Sequence, residues 1–180
     1  MAPRSRVLVP IVVAALSWSP VVAADDARFG KHDVRSVFVI AKNIDRDEVR
    51  YGVHLDQDCA PRGPEPMHAY WQQIEQGPGV VEDLNFLDQT VYGIKEQRVT
   101  KRSAEESKVL MTLKATPDRA IAVVIHKREG RCVAEAVAFI NAVPSFLDRV
   151  FVHVAGFLKV DWVEIMGRAN GKPVVERVKH

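Results

Sequence analysis

Six side chains able to do chemistry fall close together in the first half of the chain: Tyr51, His54, Asp56, His68, Tyr70 and Trp71. His54 and Asp56 are two residues apart, so on a β-strand they share a face. If the segment 67–72 pairs with the segment 49–55, His68 comes opposite them and completes a His/Asp/His set. Such a set can act as three ligands of an open divalent-metal site, or as an imidazole oriented by a carboxylate for proton transfer. Tyr51 and Tyr70 would add hydroxyls to a ligand-binding patch around the trio. The competing reading is a solvated sheet face that ends at a loop, and no helical i, i+4 His pair argues otherwise. Tyr70 and Trp71 are adjacent, so strand alternation sends them to opposite faces. One can wall a small-molecule pocket while the other packs in the core.

Familiar catalytic signatures are missing from the sequence. There is no Gly-x-Ser-x-Gly nucleophile elbow, no His-Glu-x-x-His zinc helix and no phosphate-binding loop. Gly171-Lys172-Pro173 echoes the last only superficially, because proline cannot open a phosphate-cradling helix. His126 and His153 sit toward the ends of apolar runs and read as strand ends. Lys95 to Lys108 is rich in charge, but its acids are interleaved and Tyr92 is the only aromatic beside it, so it reads as a solvated hairpin. No catalytic residue and no cofactor is expected on these grounds.

The elements that must carry these residues follow a period of two, which is the strand period. Val37 to Ala41 is a continuous apolar run, and Val49, Tyr51, Val53 and Leu55 alternate with Arg50, Gly52, His54 and Asp56. These two predict a hairpin. Asp56 to Pro66 holds three prolines and Gly63 and is a loop. Strands follow at 67–72, 91–101, 108–115, 119–127, 131–139, 150–155, 158–166 and 174–178. Turns are expected at Glu129-Gly130 and Asn170-Gly171. One short helix is expected at 82–90, with Glu82 and Asp83 in its first turn and Leu84, Leu87 and Val91 along one face. About ten strands with one or two short helices define an all-β or β-rich α+β chain. A barrel or barrel-like sandwich is the expected architecture, because closure removes exposed edges.

Residues 1–24 read as a cleavable secretory signal. Arg4 and Arg6 precede an apolar run from Val7 to Leu16, and Val22-Ala23-Ala24 supplies small residues for cleavage. The run is too short for the roughly 20 residues of a membrane span, so no anchor is expected after cleavage. Residues 25–180 then form a single domain, exported to the periplasm or outside the cell. Losing Arg4 and Arg6 leaves 23 basic residues out of 25, against 23 acidic ones. A neutral chain has no overall field to collect nucleic acid. The remaining partners are a small molecule or a component of the cell envelope. Cys59 and Cys132 are the only two cysteines. An oxidising compartment favours a bridge between them, with unpaired thiols or an intermolecular bond as alternatives.

Several segments resemble an exported bacterial family, domain of unknown function 4833. They are Ser36 to Asn43, Pro66 with Ala69-Tyr70-Trp71, and Glu82 to Phe86 leading to Tyr92-Gly93. Arg149 to Val152, Val163-Glu164-Ile165 with Gly167, and Gly171 to Glu176 complete the set. The segments run in order over nearly the whole of residues 25–180, with charged or proline-rich departures at Asp56 to Pro66 and Lys101 to Ser107. The resemblance implies export and the extent of the domain. It brings no assigned activity and no catalytic residues. Three functions fit these observations: a non-catalytic barrel that binds a small or envelope-derived molecule, a metal-dependent or hydrolase-like enzyme using His54, Asp56 and His68, and an interaction module without a pocket.

Expression through a bacterial secretory route is expected to give a mature chain beginning at Asp25. N-terminal sequencing or intact mass of the periplasmic product checks this, and a product retaining residues 1–24 would remove the export reading.

Overall fold

The computed structural model describes residues 29–30, 32–77, 80–103, 105–155 and 159–179. Residues 1–24, for which a secretory signal is expected, lie outside the described residues. The elements are β1 Val34–Lys42, β2 Glu48–Val53, β3 Met67–Gln72, β4 Val81–Asp83, α1 Phe86–Tyr92, β5 Ile94–Arg102, β6 Glu106–Leu113, β7 Ala120–Arg128, β8 Arg131–Ile140, β9 Val143–Ala155, β10 Lys159–Ala169 and β11 Lys172–Lys179. Eleven strands and one short helix among the described residues bear out a β-rich chain. Among the described residues no helix is long and apolar enough to cross a membrane.

The strands form one sheet in the order β4-β3-β2-β1-β9-β8-β7-β6-β5, with β10 also on β9 and β11 on β10. Every pairing is antiparallel except β1 with β9. The 13-residue β9 is the junction. Its first part pairs β8, through Val143 to Phe146, and its later part pairs β1, through Arg149 to Val152. Phe146 faces both Val137 and Arg168, and Val150 faces both Ile40 and Ile165. β8 and β1 therefore share one edge of β9 while β10 takes the other.

From this fork the arm β1–β4 and the arm β5–β8 fold onto a common core. Phe38, Tyr51, Val53 and Met67 come from one arm, and Val109, Met111, Val123 and Ile125 from the other, all nearly or fully buried. Burying each such side chain contributes roughly 1.5–3 kcal/mol. Period two is visible in the burial of β6 and β7, whose residues alternate between buried and partly exposed.

The ring is not closed by a strand ladder between β3 and β5. Instead the Gln97 side chain spans the gap: its Oε1 accepts from the Met67 amide at 2.7 Å, and its Nε2 donates to the Met67 carbonyl at 3.1 Å. One side-chain amide does what a neighbouring backbone would have done. The far ends are tied by other means. Cys59 and Cys132 are bonded, with Cα atoms 5.3 Å apart, and Arg102 donates to the Pro61 carbonyl at 2.8 Å. Closing a 73-residue loop stabilises the fold by about 4 kcal/mol in the chain-entropy account.

The turn readings at Glu129-Gly130 and Asn170-Gly171 hold, each with positive φ at both residues. Two local expectations need correction. The helix begins at Phe86, after an Asn85 cap whose side chain accepts from the Asp88 amide, so Glu82 and Asp83 belong to β4 and not to a first turn. β9 begins seven residues before the expected Val150, after a tight turn at Asn141-Ala142. Ala142 takes φ 61°, a conformation usually left to Gly or Asn, and the neighbouring Asn141 is held by Glu176 and the Val175 carbonyl.

Gln97→Ala leaves the buried Met67 amide and carbonyl without partners, at a cost of about 2 kcal/mol. Urea unfolding is expected to show that loss. A change below about 0.5 kcal/mol would mean the seam does not depend on this side chain.

Candidate functional site

The outer face of β2 and β3 gathers His54, His68 and Tyr70 under a strap formed by the residues just before β1. On β2, Tyr51 and Val53 point inward and are fully buried, so Gly52 and His54 lie on the other face. His68 is paired with Gly52 and sits diagonal to His54. Gly52 leaves room there: a Cβ at that position would come within 2.6 Å of His68 Nε2. The His54 and His68 rings stack at 4.0 Å between centroids. Phe29 covers them, 5.3 Å from His68 and 4.9 Å from Tyr70, and Tyr70 is only 2% exposed.

The carboxylate that meets His54 is Asp33, at 3.0 Å from Nδ1. The other Asp33 oxygen accepts from the Leu55 amide at 2.8 Å, and the Gly30 amide also donates to this carboxylate at 2.9 Å. Burial pushes the Asp33 pKa up, but the hydrogen bonds from Leu55, His54 and Gly30 outweigh it and hold the group below the ordinary carboxylate range. The pair orients the imidazole as a proton-transfer group would require, and it also knots the strap to the sheet.

Asp56 has a different place. Its Oδ1 accepts from the Asp58 and Ala60 amides, each at 2.9 Å, which caps the loop and lowers its pKa. Tyr51 is in the core, stacked on Phe38 at 4.4 Å with its hydroxyl donating to the Tyr92 carbonyl at 2.6 Å. Burial raises its phenol pKa. The five residues of the expected ligand patch are thus divided: His54, His68 and Tyr70 come together, Tyr51 lies on the inner face and Asp56 in the loop. Among the described residues, no three His, Cys, Asp or Glu side chains are arranged to hold a metal ion. Trp71 points inward, donates from Nε1 to Asp88 at 2.8 Å, and carries the Lys42 ammonium 4.2 Å above its ring.

A second site has no counterpart in the sequence reading. A cavity of about 60 Å³ is lined by residues of β1, α1, β6, β7, β8, β9 and β10 and of the β6–β7 connection. Thirteen of its sixteen lining residues are aliphatic or Phe; the others are Tyr92, Thr116 and Arg119. Ile40, Ile121, Val150 and Val163 are among its lining residues. Of the lining residues, Val91 and Phe139 are exposed, and Tyr92, Ala115, Thr116, Arg119 and Val160 are half-buried. In comparable terms one water needs roughly 10–15 Å³, so about four to six waters would fill it. Nothing in a period-two pattern distinguishes a side chain that lines a cavity from one that fills a core.

An open, nearly ringed sheet with an apolar interior cavity and a disulfide-tied loop is the class of protein defined here. Residues 38–177 match the family described as Domain of unknown function (DUF4833), and the chain belongs to that family. No curated protein and no solved structure matches it.

The lowered pKa of Asp33 fixes a sign. A carboxyl depressed in the folded state contributes stability above its unfolded pKa, about 3.9, and that stability is lost as pH falls through the folded value. Urea unfolding of wild type and Asp33→Asn is therefore expected to differ most near neutral pH and to converge in acid. A gap that widens in acid would contradict the hydrogen bonding described for Asp33.

Proposed function

We propose that the protein is an exported, non-catalytic binder that takes an apolar group of a small or envelope-derived molecule into the cavity between its two arms. The observation that carries this reading is the lining: thirteen of sixteen residues are aliphatic or Phe, and Tyr92, Thr116 and Arg119 supply the polar groups. Ligand sites combine such a wall with a few polar groups that set orientation. α1 supports it further. The helix buries no residue, and Leu87 at 72% exposed stands one turn before Val91 on the same helix face. An apolar track thus leads from the helix surface to the cavity rim.

The Asp33–His54 contact favours a second reading, in which His54 transfers a proton during hydrolysis. It would gain weight if the protein turned over simple aryl esters and His54→Asn removed the activity.

The binding reading is tested with N-phenyl-1-naphthylamine, whose fluorescence rises in apolar surroundings. Delipidated protein is expected to show saturable enhancement at one site. Ala138→Leu, which adds bulk to the cavity wall, is expected to weaken it by about tenfold, roughly 1.4 kcal/mol, with the urea midpoint little changed. Absence of saturable binding, or equal binding by the folded variant, would defeat the proposal.

A further inference from the structure

The cavity lining carries a single cation, Arg119, and the way it is held leaves one edge open. Arg119 Nη1 and Nη2 donate to the two Glu176 oxygens at 3.0 and 2.5 Å, and Nη1 also reaches the Phe139 carbonyl at 3.5 Å. Glu176 is itself fixed by the Asn141 amide at 2.8 Å. A guanidinium presents five N–H donors in a planar fork. Glu176 occupies the end formed by the two terminal nitrogens. Nε–H, with the second Nη2–H beside it, makes the other edge, and no described residue accepts from Nε. Arg119 lines the cavity, and its side chain is 34% exposed.

We propose that the ligand is a single-chain amphiphile with a carboxylate head, its chain end in the cavity and its carboxylate on the Nε/Nη2 edge of Arg119. The inference rests on the cavity being a binding site, as argued above. The size of the cavity limits the tail to the end of one alkyl chain. The remainder of that chain has the apolar surface of Val91 and Leu87 to lie along. A carboxylate matches a guanidinium edge with two parallel hydrogen bonds, which an alcohol or an ammonium cannot form. Because Glu176 balances the charge of Arg119, the head is recognised through the geometry of the fork. Glu176 also holds the fork in place before the ligand arrives, which lowers the ordering cost of binding.

Displacement of bound N-phenyl-1-naphthylamine by dodecanoate, dodecanol and dodecyl phosphate tests this. In wild type, dodecanoate is expected to bind about tenfold more tightly than dodecanol, as charge-assisted hydrogen bonds allow. Arg119→Gln combined with Glu176→Gln replaces the ion pair by two amides without leaving a lone charge. This variant is expected to keep dodecanol binding and lose the preference for dodecanoate. Arg119→Lys, which keeps the charge and lacks the planar edge, is expected to lose it too and serves where the double variant does not fold. Equal binding of acid and alcohol by wild type, or a preference that survives both variants, overturns the head-group assignment and leaves the cavity reading intact. Tighter binding of dodecyl phosphate than dodecanoate overturns the choice of carboxylate. Failure of all three to displace bound dye overturns the inference, whereas absence of dye binding overturns the cavity reading beneath it.

Discussion

β9 can satisfy only one backbone neighbour at each point of an edge, and two strands need the same edge. The conflict is resolved along its length: β8 takes Val143 to Phe146, and β1 takes Arg149 to Val152. Between these stretches β10 shifts register against β9 at Met166/Gly167. Gly167 is required there, since a Cβ would fall 2.1 Å from the Phe146 carbonyl oxygen. Once two strands leave the same edge in sequence, the sheets they start must diverge and then fold over one another to bury their inner faces. The common core, the seam at Gln97 and the cavity near the fork all follow from that division. Near the fork the cavity is lined by Leu147 and Val150 of β9 and by Val163 and Ile165 of β10.

The strand pattern could be read from the sequence because alternation is a local property. The hairpins β1–β2, β7–β8 and β10–β11 each declare themselves through apolar alternation and a turn rich in polar residues or glycine. The start of β9 could not be read in this way. Its first residues invert the usual signal, with Ser145 buried and Phe146 45% exposed, and Pro144 discourages a strand assignment. The turn at Asn141-Ala142 lacks the glycine that would have marked it. The helix was legible as an element but not in its position: cap chemistry at Asn85 decides where it begins, and acids two residues earlier are a weaker cue.

Chemistry was legible to a similar, partial extent. Strand pairing brings His54 and His68 together as their positions imply, yet the carboxylate beside them comes from Asp33, twenty-one residues from His54 in the chain. A residue from a non-regular segment has no periodicity, so its approach to the sheet has no local trace. Gly52 was the available sign. A glycine within an alternating strand often marks a place where another group comes close, and here that group is the His68 ring. The Cys59–Cys132 bridge depended on the bend of the 56–66 loop, where Cys59 adopts φ 65°, and so on geometry that a cysteine count does not contain.

The Arg119–Glu176 pair runs against the logic of the rest of the fold. On β11, Glu176 stands between Val174 and Val178, which pack on the hydrophobic core, so a carboxylate occupies a position where a third valine would fit the pattern. A partly buried ion pair recovers its desolvation cost only with good geometry, and an apolar replacement is often as stable or more so. Stability alone therefore gives a weak reason for this arrangement. The pair does have good geometry, a two-bond fork with Asn141 as a third donor, and that geometry fixes the guanidinium plane at the mouth of an aliphatic cavity. A valine at 176 would fill the sheet equally well and leave Arg119 free to turn into solvent. What Glu176 adds, then, is orientation of a donor edge on a residue that lines the cavity.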